Sequence, residues 1–351
     1  MPALPGSPRL SSPRLLTESE YPLMFVGIVT PAPPGSRSGN RVTAIRWARI
    51  LKSLGHRVVI SESYNGEPVD LLIALHARRS SDSIRRFRRA HPKTPLIVAL
   101  TGTDLYGDLK RSKRARASLD VATRVVVLQR QALVELAPRI RNRATVIYQS
   151  VSTSKTVRPR RPPKSFDVCV VGHLRPVKDP FRAAMAARLL PKSSRIRVIH
   201  LGGALTETAE SRARQEVLSN TRYKWLGEVS RSRVAGVMSR SRLFVISSRM
   251  EGGANALGEA IVAGLPVLAS RIAGSIGILG ADYPGYFPVG GTRELARLMM
   301  RCEDDSEFLE VLTRRCHSLA VLFDPSSEQA AWAGLLDEIF LSPRAHTQQE
   351  P

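Results

Sequence analysis

The sequence predicts an α/β protein made of two doubly wound, Rossmann-like domains, each with a parallel sheet, that face each other across a cleft. Short apolar, β-rich runs alternate with helical patterns, which is typical of βαβ units. The alternation stops at a polar, proline-rich segment at residues 152–164 and then starts again. The chain has 351 residues, about twice the usual length of one domain. The polar segment is therefore interpreted as a linker between two sheet domains.

The first domain is predicted at residues 23–151. Its strands are expected at residues 24–29, 56–61, 71–75, 96–100, 125–128 and 146–148. Helices are expected between them at residues 40–54, 83–90 and 130–136. In the first of these helices Ala44, Ile45, Ala48 and Leu51 lie near one face, and Gly55 supplies a C-cap.

The second domain is predicted at residues 165–325. Its strands are expected at residues 166–171, 196–201, 243–246 and 266–269, with a helix near residues 180–190. Residues 326–341 have the pattern of a terminal amphipathic helix, which is a candidate to cross back to the first domain. The remaining segments are predicted as a disordered N-terminal extension at residues 1–22 and a tail at residues 342–351.

The composition narrows the class of protein. Apolar residues make up 43% of the chain, but no apolar run reaches the roughly 18 residues of a membrane-spanning helix. The three cysteines are scattered, and the N-terminus has no hydrophobic core of a secretory signal, so we expect a cytoplasmic protein. The net charge of +23 is compatible with binding of phosphorylated ligands or acidic lipids, and also with a solvated surface that binds neither. Nucleic-acid binding is disfavoured because aromatic residues make up only 5% and no recognition motif is present.

The segment at residues 251–267 carries the most chemical information. It has the pattern of a glycine-rich turn, a short helix and a strand, and Glu251 precedes the turn while Glu259 follows it in the helix. The turn between them contains Gly252, Gly253, Ala254 and Asn255. Backbone amides at such a helix start suit an anionic or polyhydroxyl ligand, and the two acids can hold sugar hydroxyls. Taken alone, the pattern also fits a simple turn with two solvated acids.

This segment resembles the donor-site motif of the retaining GT-B glycosyltransferases, in which two glutamates lie eight positions apart around a glycine-rich turn. The resemblance implies that Glu251 contacts the transferred sugar and Glu259 holds the nucleotide ribose. It also implies that the amides of residues 252–255 bind the sugar and the diphosphate.

A second segment of the predicted second domain agrees with this resemblance. Arg175 and Lys178 lie three positions apart in the loop after its first strand, where GT-B enzymes carry two cations that neutralise the donor diphosphate. As surface cations at a helix start they would oppose the helix dipole, which disfavours a purely structural interpretation. Residues 223–230 resemble the base-binding strand and loop of the same fold, and this adds Gly227 and Val229 to the expected donor site.

The first domain supplies candidates for the acceptor side of the cleft. Glycines and a helix N-terminus form a potential anion site at the start of the first helix, which includes Gly39, Asn40 and Arg41. Further candidates follow the third and fourth strands, namely His76, Arg78, Thr101, Gly102, Thr103 and Asp104. We interpret His76 as a general acid/base, an anion ligand or a structural histidine, and Asp104 as a catalytic group or a turn cap.

Four first-domain segments, at residues 28–31, 39–44, 75–80 and 100–106, resemble the selenosugar synthase family of selenoneine biosynthesis. This resemblance covers roughly residues 25–340 and implies transfer of a sugar from a UDP-sugar, UDP-GlcNAc or UDP-glucose, to selenophosphate, with formation of a carbon–selenium bond. One alternative is a related GT-B enzyme with a carbohydrate or lipid acceptor, whose basic surface docks on an anionic membrane. The other is a non-catalytic protein of the same fold that binds a nucleotide or RNA.

No cofactor is expected beyond the UDP-sugar. The sequence has no phosphate-binding loop of the Gly-Lys-Ser/Thr type, no dinucleotide fingerprint and no Gly-x-Ser-x-Gly elbow. Its seven histidines and three cysteines show no metal-ligand spacing, and an Asp-x-Asp pair is absent. We therefore expect no metal requirement, and the small-molecule substrates are the only expected partners. The oligomeric state is left open.

Overall fold

A computed structural model describes residues 22–36, 38–152 and 165–341. The predicted N-terminal extension, most of the linker and the tail lie outside these ranges. The described chain forms two α/β domains, each built on a parallel sheet of six strands. The predicted fold class, two doubly wound domains, is confirmed.

The first sheet has the strand order β2-β1-β3-β4-β5-β6, with every neighbouring pair parallel. The strands are β1 (Phe25–Val29), β2 (Arg57–Ser61), β3 (Leu71–Leu75), β4 (Leu96–Leu100), β5 (Arg124–Val127) and β6 (Ala144–Val146). The helices are α1 (Gly39–Ser53), α2 (Ser81–Ala90), α3 (Leu109–Arg111), α4 (Lys113–Asp120) and α5 (Pro138–Arg141), with a short π-helix at Asp104–Asp108 and a 3₁₀ helix at Arg130–Glu135. Along β3, alternate residues face two separate cores, because neighbouring side chains of a strand point to opposite faces.

The second sheet has the order β12-β11-β10-β7-β8-β9, also parallel throughout. Its strands are β7 (Phe166–Val171), β8 (Ile196–Leu201), β9 (Tyr223–Trp225), β10 (Leu243–Ile246), β11 (Val267–Ser270) and β12 (Tyr286–Phe287). Its helices are α6 (Arg182–Ala187), α7 (Glu207–Ser219), α8 (Arg231–Met238), α9 (Asn255–Val262), α10 (Ala273–Leu279), α11 (Thr292–Asp304) and α12 (Ser306–Ser318), with 3₁₀ helices at Pro176–Lys178 and Ala320–Phe323. The strand order reverses between β7 and β10, which is the place where doubly wound sheets bind ligands.

The terminal helix α13 (Pro325–Phe340) follows the second domain but packs on the first. The Trp47 and Trp332 rings meet edge to face at a centroid distance of 4.9 Å. The indole N–H of Trp47 donates to Glu328 Oε1 at 2.9 Å, and the backbone N–H of Ser150 donates to Oε2 at 2.7 Å. Because the buried Glu328 carboxylate has these donors, its desolvation is compensated and the helix is fixed to the first domain.

Two predicted elements differ from the structure. The last strand of the first sheet is Ala144–Val146 rather than residues 146–148, because Ala144, Thr145 and Val146 are the residues that pair with β5. The segment predicted as a helix at residues 130–136 is a 3₁₀ helix, and the Gln129 side chain caps it through Ala132 N–H. Among the described helices, none has the length and apolar content to cross a membrane.

Candidate active site

The candidate site lies where the carboxyl ends of the two sheets face each other. The loop after β4 touches the glycine-rich turn of the second domain, and a Cβ atom on Gly102 would lie 2.8 Å from the backbone N of Gly252. Gly102 also has φ of +135°, which side chains rarely adopt. A Cβ atom on Gly252 would collide with the carbonyl of Thr101. Two glycines are therefore required for the backbones of the two domains to meet.

The two predicted donor segments converge on one ion pair. Lys178 Nζ donates to Glu251 Oε1 at 2.5 Å, and Ser248 Oγ donates to the same oxygen at 2.6 Å. Glu251 is 8% exposed, while the Lys178 side chain keeps 32% of its surface accessible. A short 3₁₀ turn at Pro176–Lys178, ended by Asp179 with φ of +46°, directs the lysine toward the carboxylate. The loops after β7 and β10 thus meet at the switch point of the second sheet.

Arg175, the other predicted diphosphate ligand, is half-buried and precedes the same 3₁₀ turn. The described residues offer its guanidinium no hydrogen bond or ion pair, in contrast to the engaged Lys178. Arg175 is therefore a free cation in the loop that the sequence assigns to the donor diphosphate.

The glycine-rich turn leads directly into helix α9. Ala254 has extended backbone angles and precedes the first helical residue, Asn255. A Cβ atom on Gly253 would lie 2.6 Å from Leu128 of the first domain, so this part of the turn is also packed closely. Burial raises the pKa of Glu259, while the positive charges of Arg231 and Arg46 act to lower it. Desolvation thus disfavours the charged form of the Glu259 carboxyl group, while two nearby cations favour it.

The loop after β9 contains the predicted base-binding residues. Gly227 has φ of +67°, and its carbonyl accepts from Gly202 N–H at 2.8 Å. Val229 is half-buried two residues further on. Trp225 donates its indole N–H to the carbonyl of Gly202 at 2.8 Å, which anchors this indole to the protein backbone.

His200, at the end of β8, holds the loop that carries Arg175 and was not singled out by the sequence. Burial lowers the pKa of His200 to about 4, so the imidazole is neutral near pH 7. Its Nε2–H donates to the carbonyl of Gly172 at 3.0 Å, and its Nδ1 accepts from Tyr223 O–H at 2.9 Å. A buried histidine in a strand has no local signature of this role, because its partners come from β9 and from the loop after β7.

His76 lies at the carboxyl end of β3 in a left-handed conformation, with φ of +72°. It is only 2% exposed, and burial lowers its pKa, although Asp104 and Asp108 act in the opposite direction. Nδ1 accepts from Arg79 N–H at 3.3 Å, which leaves Nε2 to donate to Thr103 Oγ1 at 3.1 Å. An unusual conformation at a buried histidine beside the interdomain contact is typical of functional sites.

Asp104 organises the loop after β4. Its carboxylate is fully buried and accepts backbone N–H groups at 2.8–3.1 Å. The donors are Ala77, Thr101, Gly102 and Leu105. This geometry favours the turn-capping interpretation and gives the catalytic one no support. Arg78, by contrast, is half-exposed and pairs with Asp108 at 2.8 Å.

The start of α1 presents polar groups that have no partner in the described part of the chain. Gly39 is exposed and Asn40 half-buried, and Arg41 follows in the first turn. The Nε and Nη1 atoms of Arg41 are buried and have no acceptor among the described residues. The same holds for the hydroxyl groups of Ser38, which precedes the helix, and of Thr30, which follows β1. Buried guanidinium groups are costly without an acceptor, so this region is chemically suited to an anion.

Within the described ranges, no three His, Cys, Asp or Glu side chains come together in a way that could hold a metal ion. The expectation that no metal is required stays a prediction. The residues that sequence reasoning missed around the site are Arg46 and His200. They share no motif, since each is placed by contacts between elements far apart in the chain.

Comparisons with known proteins agree with this architecture. Residues 153–316 match the family model described as glycosyl transferases group 1. The chain is 25% identical over 278 residues to glycosyltransferase 1 domain-containing protein 1 of Xenopus tropicalis, which covers 70% of this chain and 78% of that protein.

Two solved structures share the fold of the whole described chain. HepE of Anabaena in complex with UDP and glucose has a TM-score of 0.70 and 18% identity, over 90% of this chain and 100% of that one. Sucrose-phosphate synthase of Thermosynechococcus elongatus has a TM-score of 0.74 and 14% identity, over 91% and 99%. The chain therefore has the GT-B fold, and its residues 153–316 match the group 1 glycosyl transferase family.

Proposed function

We propose that this glycosyltransferase transfers a sugar from UDP-GlcNAc or UDP-glucose to selenophosphate. The observation that carries the proposal is the contact of Lys178 with Glu251, which brings the two donor segments together beside the first-domain loop at Gly102. HepE, with the same fold, has been solved with UDP and with UDP-glucose, and this supports a UDP-sugar donor here.

The proposed donor chemistry follows from the charges in the cleft. Arg175 and Lys178 neutralise the diphosphate as the bond between the sugar C1 and the phosphate oxygen breaks and UDP leaves. Fixed cations at the leaving group stabilise the transition state more than the ground state. Glu251 holds the sugar, Glu259 holds the ribose, and the amides of residues 252–255 with the loop at Gly227 and Val229 complete the donor site.

The proposed acceptor chemistry needs orientation more than deprotonation. Selenium of selenophosphate is already an anionic nucleophile, and it forms a bond to C1 as the bond to UDP breaks. Water then cleaves the selenium–phosphorus bond, which gives phosphate and a 1-seleno sugar. The buried N–H groups of Arg41 and the neutral imidazole of His76 support an anionic acceptor that needs no strong base.

The direct test is to incubate the purified protein with UDP-GlcNAc or UDP-glucose, with and without selenophosphate. We expect release of UDP that depends on selenophosphate and a selenium-containing sugar in the mass spectrum. UDP release that is independent of selenophosphate, with no selenosugar, would refute the acceptor assignment while leaving the donor assignment intact.

Arg41→Ala is expected to raise the KM for selenophosphate by about 10- to 100-fold, because a buried charged hydrogen bond contributes about 1.5–3 kcal/mol. UDP affinity, measured by calorimetry, should change by less than about threefold, which is under about 0.7 kcal/mol. Arg49→Ala is the matched control, since Arg49 is exposed on the same helix. An unchanged KM for selenophosphate in Arg41→Ala would remove Arg41 from the acceptor site.

His76→Ala is expected to raise the acceptor KM or lower kcat while UDP affinity stays within about threefold. The reason is geometric, since His76 ends a first-domain strand and contacts Thr103, whereas Glu259, Arg175 and Lys178 belong to the second domain. Loss of UDP binding in the folded variant would move His76 to the donor site. Unchanged selenosugar synthesis would make it a structural histidine.

A second candidate acceptor is a carbohydrate or lipid at an anionic membrane surface. Helices α2 and α4 pack side by side, and Arg85, Arg86 and Arg89 on α2 and Lys113 and Arg114 on α4 are exposed. Such a patch attracts acidic headgroups by about 1 kcal/mol for each basic residue near the surface. Sugar transfer that requires anionic vesicles and not selenophosphate would favour this candidate.

A further inference from the structure

Arg46 crosses from the first domain to the donor loop of the second. It lies in the middle of α1, and its Nη1 donates to Asn255 Oδ1 at 3.0 Å. Asn255 is the first residue of α9 and directly follows the glycine-rich turn. The sequence around Arg46 carries no signal of this contact, because the partner is 209 positions away in the chain.

Several charged groups surround the guanidinium of Arg46. Burial lowers its pKa, while Glu328 of α13 and Glu259 of α9 act to raise it and Arg231 of α8 acts to lower it. The Glu328 carboxylate already accepts from Trp47 and Ser150. Glu328 is the larger of the two anionic influences on Arg46, and the charge of Glu259, one helical turn beyond Asn255, adds to it on the donor side.

Glu259 has a matching environment. Burial raises its pKa, and Arg231 and then Arg46 act to lower it. Burial raises the pKa of the Cys169 thiol in β7, and the charge of Glu259 adds to this effect. Of the two cations, Arg231 is exposed, whereas Arg46 is half-buried and fixed by its hydrogen bond to Asn255.

We propose that Arg46 is a positioning residue for the donor site, which fixes Asn255 and keeps the carboxylate of Glu259 charged for the ribose hydroxyls. The inference rests on the proposed function, because it assigns the nucleotide ribose to Glu259. It means that donor affinity depends on the contact between α1 and α9, and therefore on how closely the two domains approach. By reciprocity, donor binding must favour that same contact.

The test is calorimetric titration of the full chain with UDP between about pH 5 and pH 8, with Arg46→Met, Arg46→Lys and the matched control Arg49→Ala. We expect Arg46→Met to weaken UDP binding by about tenfold at pH 7, a typical value for a charged hydrogen bond. Loss of the cation raises the pKa of Glu259 further. On acidification, the UDP affinity of this variant should therefore begin to fall at a higher pH than that of the wild type. Arg46→Lys keeps the positive charge, so this variant should have the same pH profile of UDP binding as the wild type.

Glu259→Gln separates this role from a purely structural one. Since glutamine does not titrate, Arg46→Met in a Glu259→Gln background should leave the pH profile of UDP binding unchanged. A loss of affinity in Arg46→Met that is the same at every pH and in both backgrounds would overturn the proposal. If Arg46→Met does not fold, as judged by circular dichroism, Arg46→Lys and Asn255→Ala still test the contact.

The outcomes also distinguish this inference from the proposed function. A wild-type protein that binds neither UDP nor UDP-glucose would overturn the proposed function, and the donor role of Arg46 with it. A wild-type protein that binds UDP, together with an Arg46→Met variant of equal affinity and pH profile, would overturn only the role of Arg46.

Discussion

Replacing Lys178 by alanine is expected to lower kcat/KM for the UDP-sugar by about 10- to 1000-fold, or about 1.4–4 kcal/mol of transition-state stabilisation. The lysine is the cation that contacts Glu251, so the variant removes charge from the leaving diphosphate. Among the described residues it also leaves the buried carboxylate of Glu251 with Ser248 as its remaining hydrogen-bond donor. The measurement is steady-state kinetics of UDP release. Arg175→Ala should lower kcat/KM within the same range, but nearer its lower end, because no carboxylate of the described residues pairs with Arg175.

Lys192→Ala is the control for loss of one positive charge. Lys192 is exposed and precedes β8, at the end of the second sheet that is opposite the cleft. The control should retain wild-type kinetics, and all three variants should keep wild-type circular dichroism. Full activity of both Arg175→Ala and Lys178→Ala with every UDP-sugar would show that the diphosphate assignment is wrong.

Replacing Gly252 by alanine is expected to lower kcat/KM by about 100-fold without unfolding either domain. The added Cβ would collide with the carbonyl of Thr101 and lie 2.7 Å from the backbone N of Gly102, and backbone atoms cannot yield as a flexible side chain can. The domains must then separate or the turn must shift, and a misplacement of about 1 Å at a reacting site can cost about 100-fold. Kinetics measure the loss, and small-angle scattering measures the opening.

Gly334→Ala is the matched control for this glycine. Gly334 lies in helix α13, and a Cβ atom there would meet nothing within 4 Å. The change should leave kcat/KM unaltered and raise stability slightly, by up to about 1 kcal/mol, because alanine favours helix more than glycine does. Wild-type activity in Gly252→Ala would mean that the contact between Thr101, Gly102 and Gly252 is not needed for catalysis.

Much of the fold was predictable because its signals are local. The alternation of buried strands and helices placed most elements of both sheets, and the glycine-rich turn correctly preceded a helix at Asn255. The misplaced last strand of the first sheet and the 3₁₀ segment at Arg130–Glu135 show the limit of such signals. Their bounds are decided by pairing with β5 and by the Gln129 cap, which a periodicity does not encode.

The roles of individual side chains were less predictable. Asp104 directly follows a parallel strand, as a residue of the cleft would. Its carboxylate nevertheless accepts hydrogen bonds from four backbone amides. His76 was equally compatible with packing and chemistry, and only the structure shows its left-handed backbone and its contact with Thr103. A polar residue after a parallel strand is thus a candidate for the site, and its hydrogen-bond partners decide what it does there.

Two doubly wound domains and the spacing of the donor residues follow from the amino-acid sequence, because strand periodicity and the separation of Glu251 from Glu259 are properties of short segments. Which charged and polar side chains meet depends on how distant segments pack. Lys178 reaches Glu251 across 73 residues, and Arg46 reaches Asn255 across 209. The first hydrogen bond forms only when β7 and β10 become neighbours in the second sheet, and the second forms only when the two domains pack together. Both depend on the packing of distant segments rather than on any local pattern.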